Sequence, residues 1–258
     1  NPFIEEKEDY LDISITDINK DNYNLEQDVE LSGTTNEEIN ADIKEYIGFT
    51  YDEHNVNNVI TGNIAGDGSL VLKVFYTRNT YTLTLEKDEN VDKVTGKSIE
   101  QNTGINIDES TGKAIFKYEQ PIEIEAIMKS VEGYNVSFKA WESSSEQVLN
   151  TKEEKEKQKT PFVMPAEDVT ARATSIIEAN TVEYNVEYYY ETENTYSETP
   201  TYTQTRSAKV GEAVTVTDAD KIPNNEKIGY EFDENADNVL TSTIPTKGTV
   251  ILKVFFKK

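Results

Sequence analysis

One stretch of this chain returns far downstream, and that recurrence limits what the chain can fold into. GFTYDEHNVNNVITGNIAGDGSLVLKVFY at Gly48–Tyr76 is answered by GYEFDENADNVLTSTIPTKGTVILKVFF at Gly229–Phe256. Gly48 matches Gly229, Asp52-Glu53 matches Asp233-Glu234, and Asn58-Val59 matches Asn238-Val239. Ile64 matches Ile244, Gly68 matches Gly248, and Leu72-Lys73-Val74-Phe75 recurs as Leu252-Lys253-Val254-Phe255. The spacing between partners changes by a single residue across the stretch. What repeats is mainly glycine, turn residues and alternating apolar positions, so the unit is a folding unit before it is anything else.

A chain of 258 residues with one such unit near each end reads as modest tandem domains rather than one large core. Its hydrophobic fraction of 36% suits small sheets with one buried face each. Lys and Arg total 25 against 49 Asp and Glu, a formal charge of −24. That balance leaves no basic surface for nucleic acid or for electrostatic docking on anionic membrane. There is no cysteine, hence no disulfide framework, thiolate metal site or thiol nucleophile. No apolar run reaches the roughly 20 residues that span a bilayer, so no direct membrane insertion is expected. With Asn1 in place of an initiator Met, the chain is expected to be an excised fragment without signal or anchor.

Taken in order, Tyr10–Ile18 alternates as a half-buried strand. Ile39, Ile43 and Ile47 recur every fourth residue, which predicts one short helix over 36–47, capped by Thr35 or Asn36 and ended by Gly48. Residues 52–58 read as a loop, Gly66-Asp67-Gly68 as a tight turn, and 69–76 as a strand. Only residues 77–80 separate that strand from the next, so adjoining domains should be held nearly end to end. The middle segment has strands at 81–86, 114–118, 122–128, 136–141 and 169–177, with a turn region after the first and a charged run, TKEEKEKQK at 151–159, read as solvated loop or a marginal helical turn. Val182, Tyr184, Val186, Tyr188 and Tyr190 then share one face of a strand, and Val210–Val216 makes another. The expected boundaries are 1–78, 79–180 and 181–258.

The units closing on Leu72-Lys73-Val74-Phe75-Tyr76 and Leu252-Lys253-Val254-Phe255-Phe256 resemble repeat modules of Gram-positive bacterial cell-surface proteins, of the Listeria–Bacteroides (internalin B-repeat) and mucin-binding-protein-like groups. Gly48-Phe49 and Asn58-Val59-Ile60-Thr61-Gly62 carry the rest of that likeness, with Ser242 standing where Gly62 would recur. The middle segment is similar to a related repeat through Gly133-Tyr134, Trp141 and a closing strand in Phe162-Val163-Met164-Pro165-Ala166-Glu167-Asp168-Val169-Thr170. The resemblance implies a mainly β chain of three tandem small β-rich modules, β-grasp-like or sandwich-like, in an elongated rod. It also implies an extracellular place on the bacterial surface or cell wall.

Reactive chemistry is scarce. His54, the single histidine, sits in an acidic loop without a nucleophile setting around it, and no GxGxxG, P-loop or HExxH occurs. No enzyme activity and no cofactor are expected. Calcium is the one metal that the residues invite, through the hard oxygens of Asp52 and Glu53 and the matching Asp233 and Glu234. Neither loop has the alternating spacing of a dedicated calcium loop, and solvated acidic turns are the plainer account. A Lys–Asn isopeptide bond, found in stalk domains of this class, would need a buried Lys, Asn and acid, which spacing does not identify. Tyr189, Tyr196 and Tyr202 are the candidate ligand contacts, Tyr189 because alternation puts it on the polar face of its strand.

These readings converge on a non-enzymatic stalk or adhesion segment that spaces or presents an adhesive domain. Its expected partners are neighbouring domains of the same surface protein. The alternatives are a module that binds host glycan or matrix protein through its tyrosines, and an accessory binding domain of a secreted hydrolase.

Overall fold

The computed structural model describes residues 2–5, 23–25, 29–100 and 103–258. The chain is mainly β and divides into two compact units, Asn1–Met128 with Phe138–Ser175, and Lys129–Ser137 with Ile176–Lys258. The strand expected over 10–18 lies outside the described residues.

The first unit opens with β1 (Pro2–Glu5), β2 (Tyr23–Leu25), β3 (Glu38–Asn40), β4 (Phe49–Tyr51), β5 (Thr61–Asn63) and β6 (Val74–Arg78). Four of them form a sheet in the order β2-β1-β6-β4, while β3 and β5 pair separately. β1 and β6 run parallel, with Phe3 opposite Phe75. No helix forms over 36–47, which corrects the expectation drawn from the isoleucine spacing. Asn36 takes a left-handed turn at φ 71°, Glu37 N donates back to Thr34 O at 2.9 Å, and Ile39 enters β3 opposite Gly62. Ile43 and Ile47 stay 44% and 80% exposed, so no apolar stripe is buried to support a short helix. The strand expected from residue 69 begins only at Val74.

The first unit continues through β7 (Thr80–Lys87), β8 (Val91–Ser98), β9 (Lys113–Lys117), β10 (Pro121–Met128), β11 (Tyr134–Ser143), β12 (Lys159–Val163) and β13 (Val169–Ala179), the last residues of β13 and the start of β11 belonging to the second unit. Two sheets, β12-β10-β8 and β11-β13-β7-β9, contribute to one core. Leu83, Phe116, Ile122, Ile124, Trp141, Met164 and Val169 are all fully covered in it. Period-two alternation is what places Ile122, Ile124 and Ala126 inward while their neighbours stay half-exposed. Trp141 satisfies its indole N–H on Lys157 O at 3.1 Å. The charged run forms a single turn, α1 (Lys152–Lys155), capped reciprocally by Thr151 and Glu154. Two further expectations are corrected. The turn region after β7 contains β8, and Phe162–Thr170 is not one closing strand but the end of β12, a turn and the start of β13.

The second unit contains β14 (Thr181–Tyr190), β15 (Tyr202–Lys209), β16 (Ala213–Thr215), a 3₁₀ turn (Ala219–Lys221), β17 (Glu231–Phe232), β18 (Thr241–Thr243) and β19 (Ile251–Lys257). Its sheet order, β15-β14-β19-β17, with a separate β16-β18 pair, repeats the plan of β1–β6 strand for strand. β14 and β19 are parallel from Asn185 opposite Ile251 to Tyr190 opposite Phe256. β16 is shorter than the strand expected over 210–216, because Gly211 takes φ 82° at the turn that Asn36 occupies in the first copy.

Candidate functional site

The acidic loops and the tyrosines around them are the residues that the sequence marks, and both repeats build them with the same bonds. Phe75 N donates to Asn58 Oδ1 at 3.0 Å, and Asn58 Nδ2 donates to Asp52 O at 2.6 Å. In the second copy Phe255 N donates to Asn238 Oδ1 at 3.0 Å, and Asn238 Nδ2 donates to Asp233 O at 2.8 Å. One asparagine therefore ties each acidic loop to the closing strand, where both halves of its amide are used. Val59 and Lys73, like Val239 and Lys253, add an isolated antiparallel bridge beside it.

Each loop also carries a tyrosine. Tyr23 donates its hydroxyl to Asp52 Oδ2 at 3.3 Å and sets its ring edge-on to Phe75 at 5.1 Å. Tyr196 does the same with Asp233 Oδ2 at 2.9 Å and Phe255 at 4.9 Å. Burial, and then the hydrogen bond it donates to the Asp233 carboxylate, push the Tyr196 hydroxyl well above the ordinary tyrosine range. Glu53 projects beside His54 at 3.6 Å, both side chains largely exposed, and Glu234 is exposed as well. Asp52 and Glu53, or Asp233 and Glu234, thus do not converge. Among the described residues no group of three or more His, Asp or Glu is placed to hold a metal ion. Nor is any lysine buried among them, as an isopeptide bond would need.

The three candidate tyrosines do not form one surface. Tyr189 does lie on the face opposite Tyr188 and Tyr190, but at its position that face is covered, which corrects the expectation that it meets solvent. Its ring is 5% exposed and stacks on Phe255 at 4.7 Å. Its hydroxyl donates to Glu187 Oε2 at 2.6 Å, and burial followed by that bond pushes it up to about 12. Tyr196 shares Phe255 with Tyr189. Tyr202 stands apart, 57% exposed, with its ring 5.5 Å from Tyr188.

Two polar clusters escaped the sequence reading. Asp220, 6% exposed, accepts from Arg206 Nη1 at 2.9 Å, Tyr188 Oη at 2.7 Å and Thr217 N and Oγ1 at 2.7 and 2.8 Å. Burial alone would raise its carboxyl; the bonds from Arg206, Tyr188 and Thr217 outweigh it and hold the group well below the usual carboxylate range. The Thr-x-x-Asp spacing of Thr217 and Asp220, a reciprocal turn cap, was the available signal. In the first unit Arg78 pairs with Glu100 at 3.2 Å with both side chains at most 3% exposed, and donates to Tyr118 O at 3.3 Å. Tyr118 also faces Phe49 edge-on at 5.5 Å and lies against Gly48, where an added Cβ would meet its ring at 2.3 Å. Only Asn79 separates β6 from β7 here, and its N–H donates to Gly48 O at 2.8 Å.

No protein-family model matches the chain, and no curated protein matches it either. Among solved structures, the Bacillus anthracis TIE protein is similar over 83% of this chain at 11% identity, with a TM-score of 0.29. The chain spans 40% of the length of that protein.

Proposed function

We propose that this chain is a non-enzymatic segment of a bacterial cell-surface protein, which spaces an adhesive domain from the wall and bears the tension that adhesion puts on it. One observation supports the reading most directly. In each of the three segments the first strand and the last strand are parallel neighbours: β1 with β6, β7 with β13, and β14 with β19. A pull on the two ends of such a segment drives those strands past each other along their length. All bridging hydrogen bonds then resist together, whereas a hairpin pulled at its open end yields one bond at a time. The single-residue connection at Asn79 and the covered Arg78–Glu100 pair would pass force from β6 to β7 without slack.

Pulling the full chain through its two ends in a force-spectroscopy experiment tests this. Asn185 N donates to Val250 O at 3.0 Å at the start of the β14–β19 ladder, and Asn185→Pro deletes that bond. The expected result is one rupture event at lowered force, with the other events unchanged. Unfolding of the unaltered chain as a low-force zipper, without distinct ruptures, would sink the proposal.

A further inference from the structure

The sheet of the second unit ends on one side in a bare strand edge. In the order β15-β14-β19-β17, β15 pairs with β14 through all eight of its residues, from Tyr188 opposite Tyr202 to Thr181 opposite Lys209, without a bulge. Asn185 N turns toward β19 and donates to Val250 O at 3.0 Å, so the even-numbered residues of β14 are the ones that bond β15. Within β15 the backbone groups of Thr203, Thr205 and Ser207 therefore point away from the sheet. Among the described residues none of those six N–H and C=O groups has a partner. All of residues 129–137 and 176–258 are described, so no undescribed part of the second unit lies beside this edge. Exposed sheet edges are ordinarily guarded by lysine, by proline or by brevity. β17, at the other side of the sheet, has two residues, and the edge strand β12 carries Lys159 and Pro161. β15 has no proline, and Arg206, its one charge before Lys209, is turned inward onto Asp220 at 2.9 Å. It also holds no carboxylate, in a chain with 49 Asp and Glu.

We propose that β15 is a homotypic docking edge, to which a second copy of this chain adds its own β15, antiparallel about a two-fold axis at Thr205. Only this register pairs all three outward residues: Thr205 meets Thr205 of the second copy, and Thr203 meets Ser207 in both directions. Every bare N–H of the two strands then donates to a bare C=O across the axis. A two-fold contact must be complementary to itself, and this strand is. Hydroxyl side chains meet hydroxyl side chains, Gln204 faces Arg206, and no like charges stand opposite each other. Tyr202, 57% exposed, gains Ala208 of the second copy beside it. Net charge sets the conditions. Each copy carries −24, but Glu183 and Glu187, which flank β15 on β14, lie three strand spacings, about 14 Å, from the matching row across the axis. Salt at physiological strength screens exposed charges beyond about 8 Å, so association strengthens as salt rises. The proposal does not rest on the spacer reading, since copies can pair side by side whether or not they carry force.

Sedimentation of the full chain over a concentration series, at low and at physiological salt, is the first test. One strand edge buries little area, so a weak monomer–dimer equilibrium is expected, tightening severalfold with added salt. A chain that stays monomeric up to about 1 mM at both salts would overturn the proposal. Thr205→Lys sets like charges face to face at the axis, and Thr205→Pro removes an N–H that β14 does not use. Both variants should abolish the dimer while keeping the parent's strand content; a dimer that survives in Thr205→Lys rules out this edge as its site. Cysteine placement fixes the register, because the chain has no cysteine of its own. Residues paired across the axis have Cα atoms about 5.5 Å apart, within disulfide reach. Thr205→Cys should therefore oxidise to a linked dimer roughly tenfold faster than Thr203→Cys, whose two copies sit four residues out of register. Equal rates would sink the two-fold pairing.

Discussion

Asn58 and Asn238 hold their loops through the same pair of hydrogen bonds, yet the apolar residues beside them live in different surroundings. Leu252 is fully covered, while its counterpart Leu72 is half-buried among the described residues and lines a groove. Around Gly48 the opposite holds: the first copy packs on Tyr118, and at Gly229 an added Cβ would meet open space. Turn chemistry and backbone pairing therefore set the plan of the repeat, and what covers it differs from copy to copy. Stability should follow the cover and not the plan, because buried area rather than hydrogen-bond count dominates the balance.

The largest effect expected from that difference is at the paired leucines. Leu252→Ala should cost about 3 kcal/mol as a cavity in a closed core, and Leu72→Ala about 1 kcal/mol or less. Urea unfolding followed residue by residue in NMR spectra separates the two units. Equal costs would break the contrast between the covered and the half-buried leucine.

Gly48 and Gly229 test the reverse asymmetry. Both have positive φ, 78° and 84°, so alanine at either should cost about 1 kcal/mol in backbone strain. Gly48→Ala must also displace the Tyr118 ring and should cost about 1–2 kcal/mol more, by overpacking. Tyr118→Ala should erase that surplus and leave only the strain shared with Gly229→Ala.

Asp220 sharpens the comparison by pH. Its carboxyl is held below its unfolded value, so its contribution to stability is complete above that value and is lost as pH falls through the folded one. The second unit should therefore lose stability from about pH 4 downward, since ordinary aspartate titrates near there. Asp220→Asn should weaken the unit at neutral pH and flatten that acid dependence.

The smallest expected effect is alkaline. The Tyr189 hydroxyl is raised to about 12, so its contribution is fully present below the ordinary tyrosine value near 10 and fades as pH climbs toward 12. Tyr189→Phe should remove one late-ionising phenol from an absorbance titration and shift neutral stability by less than about 1 kcal/mol.

Much of the plan was legible because one face of a strand must be apolar. β14 stood out through Val182, Tyr184, Val186, Tyr188 and Tyr190, and β10 through Ile122 and Ile124. β8 was not legible, since Val91-Asp-Lys-Val-Thr-Gly96 looks like a turn. Gly96 is there for space: a Cβ would meet Ile107 at 2.8 Å and Leu85 at 3.1 Å. The false helix at 36–47 came from isoleucines whose period matched a turn of helix, although Asn36 was committed to a left-handed bend. Tyr189 shows the limit of alternation, which gives the face but not what lies over it. The Asp220 cluster joins the 3₁₀ turn and the Thr217 loop before it to β14 and β15, and such a meeting has no local pattern beyond Thr217-x-x-Asp220.

The pairing of first strand with last has a consequence for how the chain is made. No segment can close its parallel ladder until its final strand has left the ribosome, so the opening strand waits with an unpaired edge. A waiting strand is most easily captured by an identical neighbour, the usual hazard of repetitive chains. Here the two like repeats are kept apart by the unlike middle segment. The strand made next after β6 is β7, whose Tyr81, Leu83 and Leu85 belong to a different sheet, so the order of synthesis itself separates each repeat from its double.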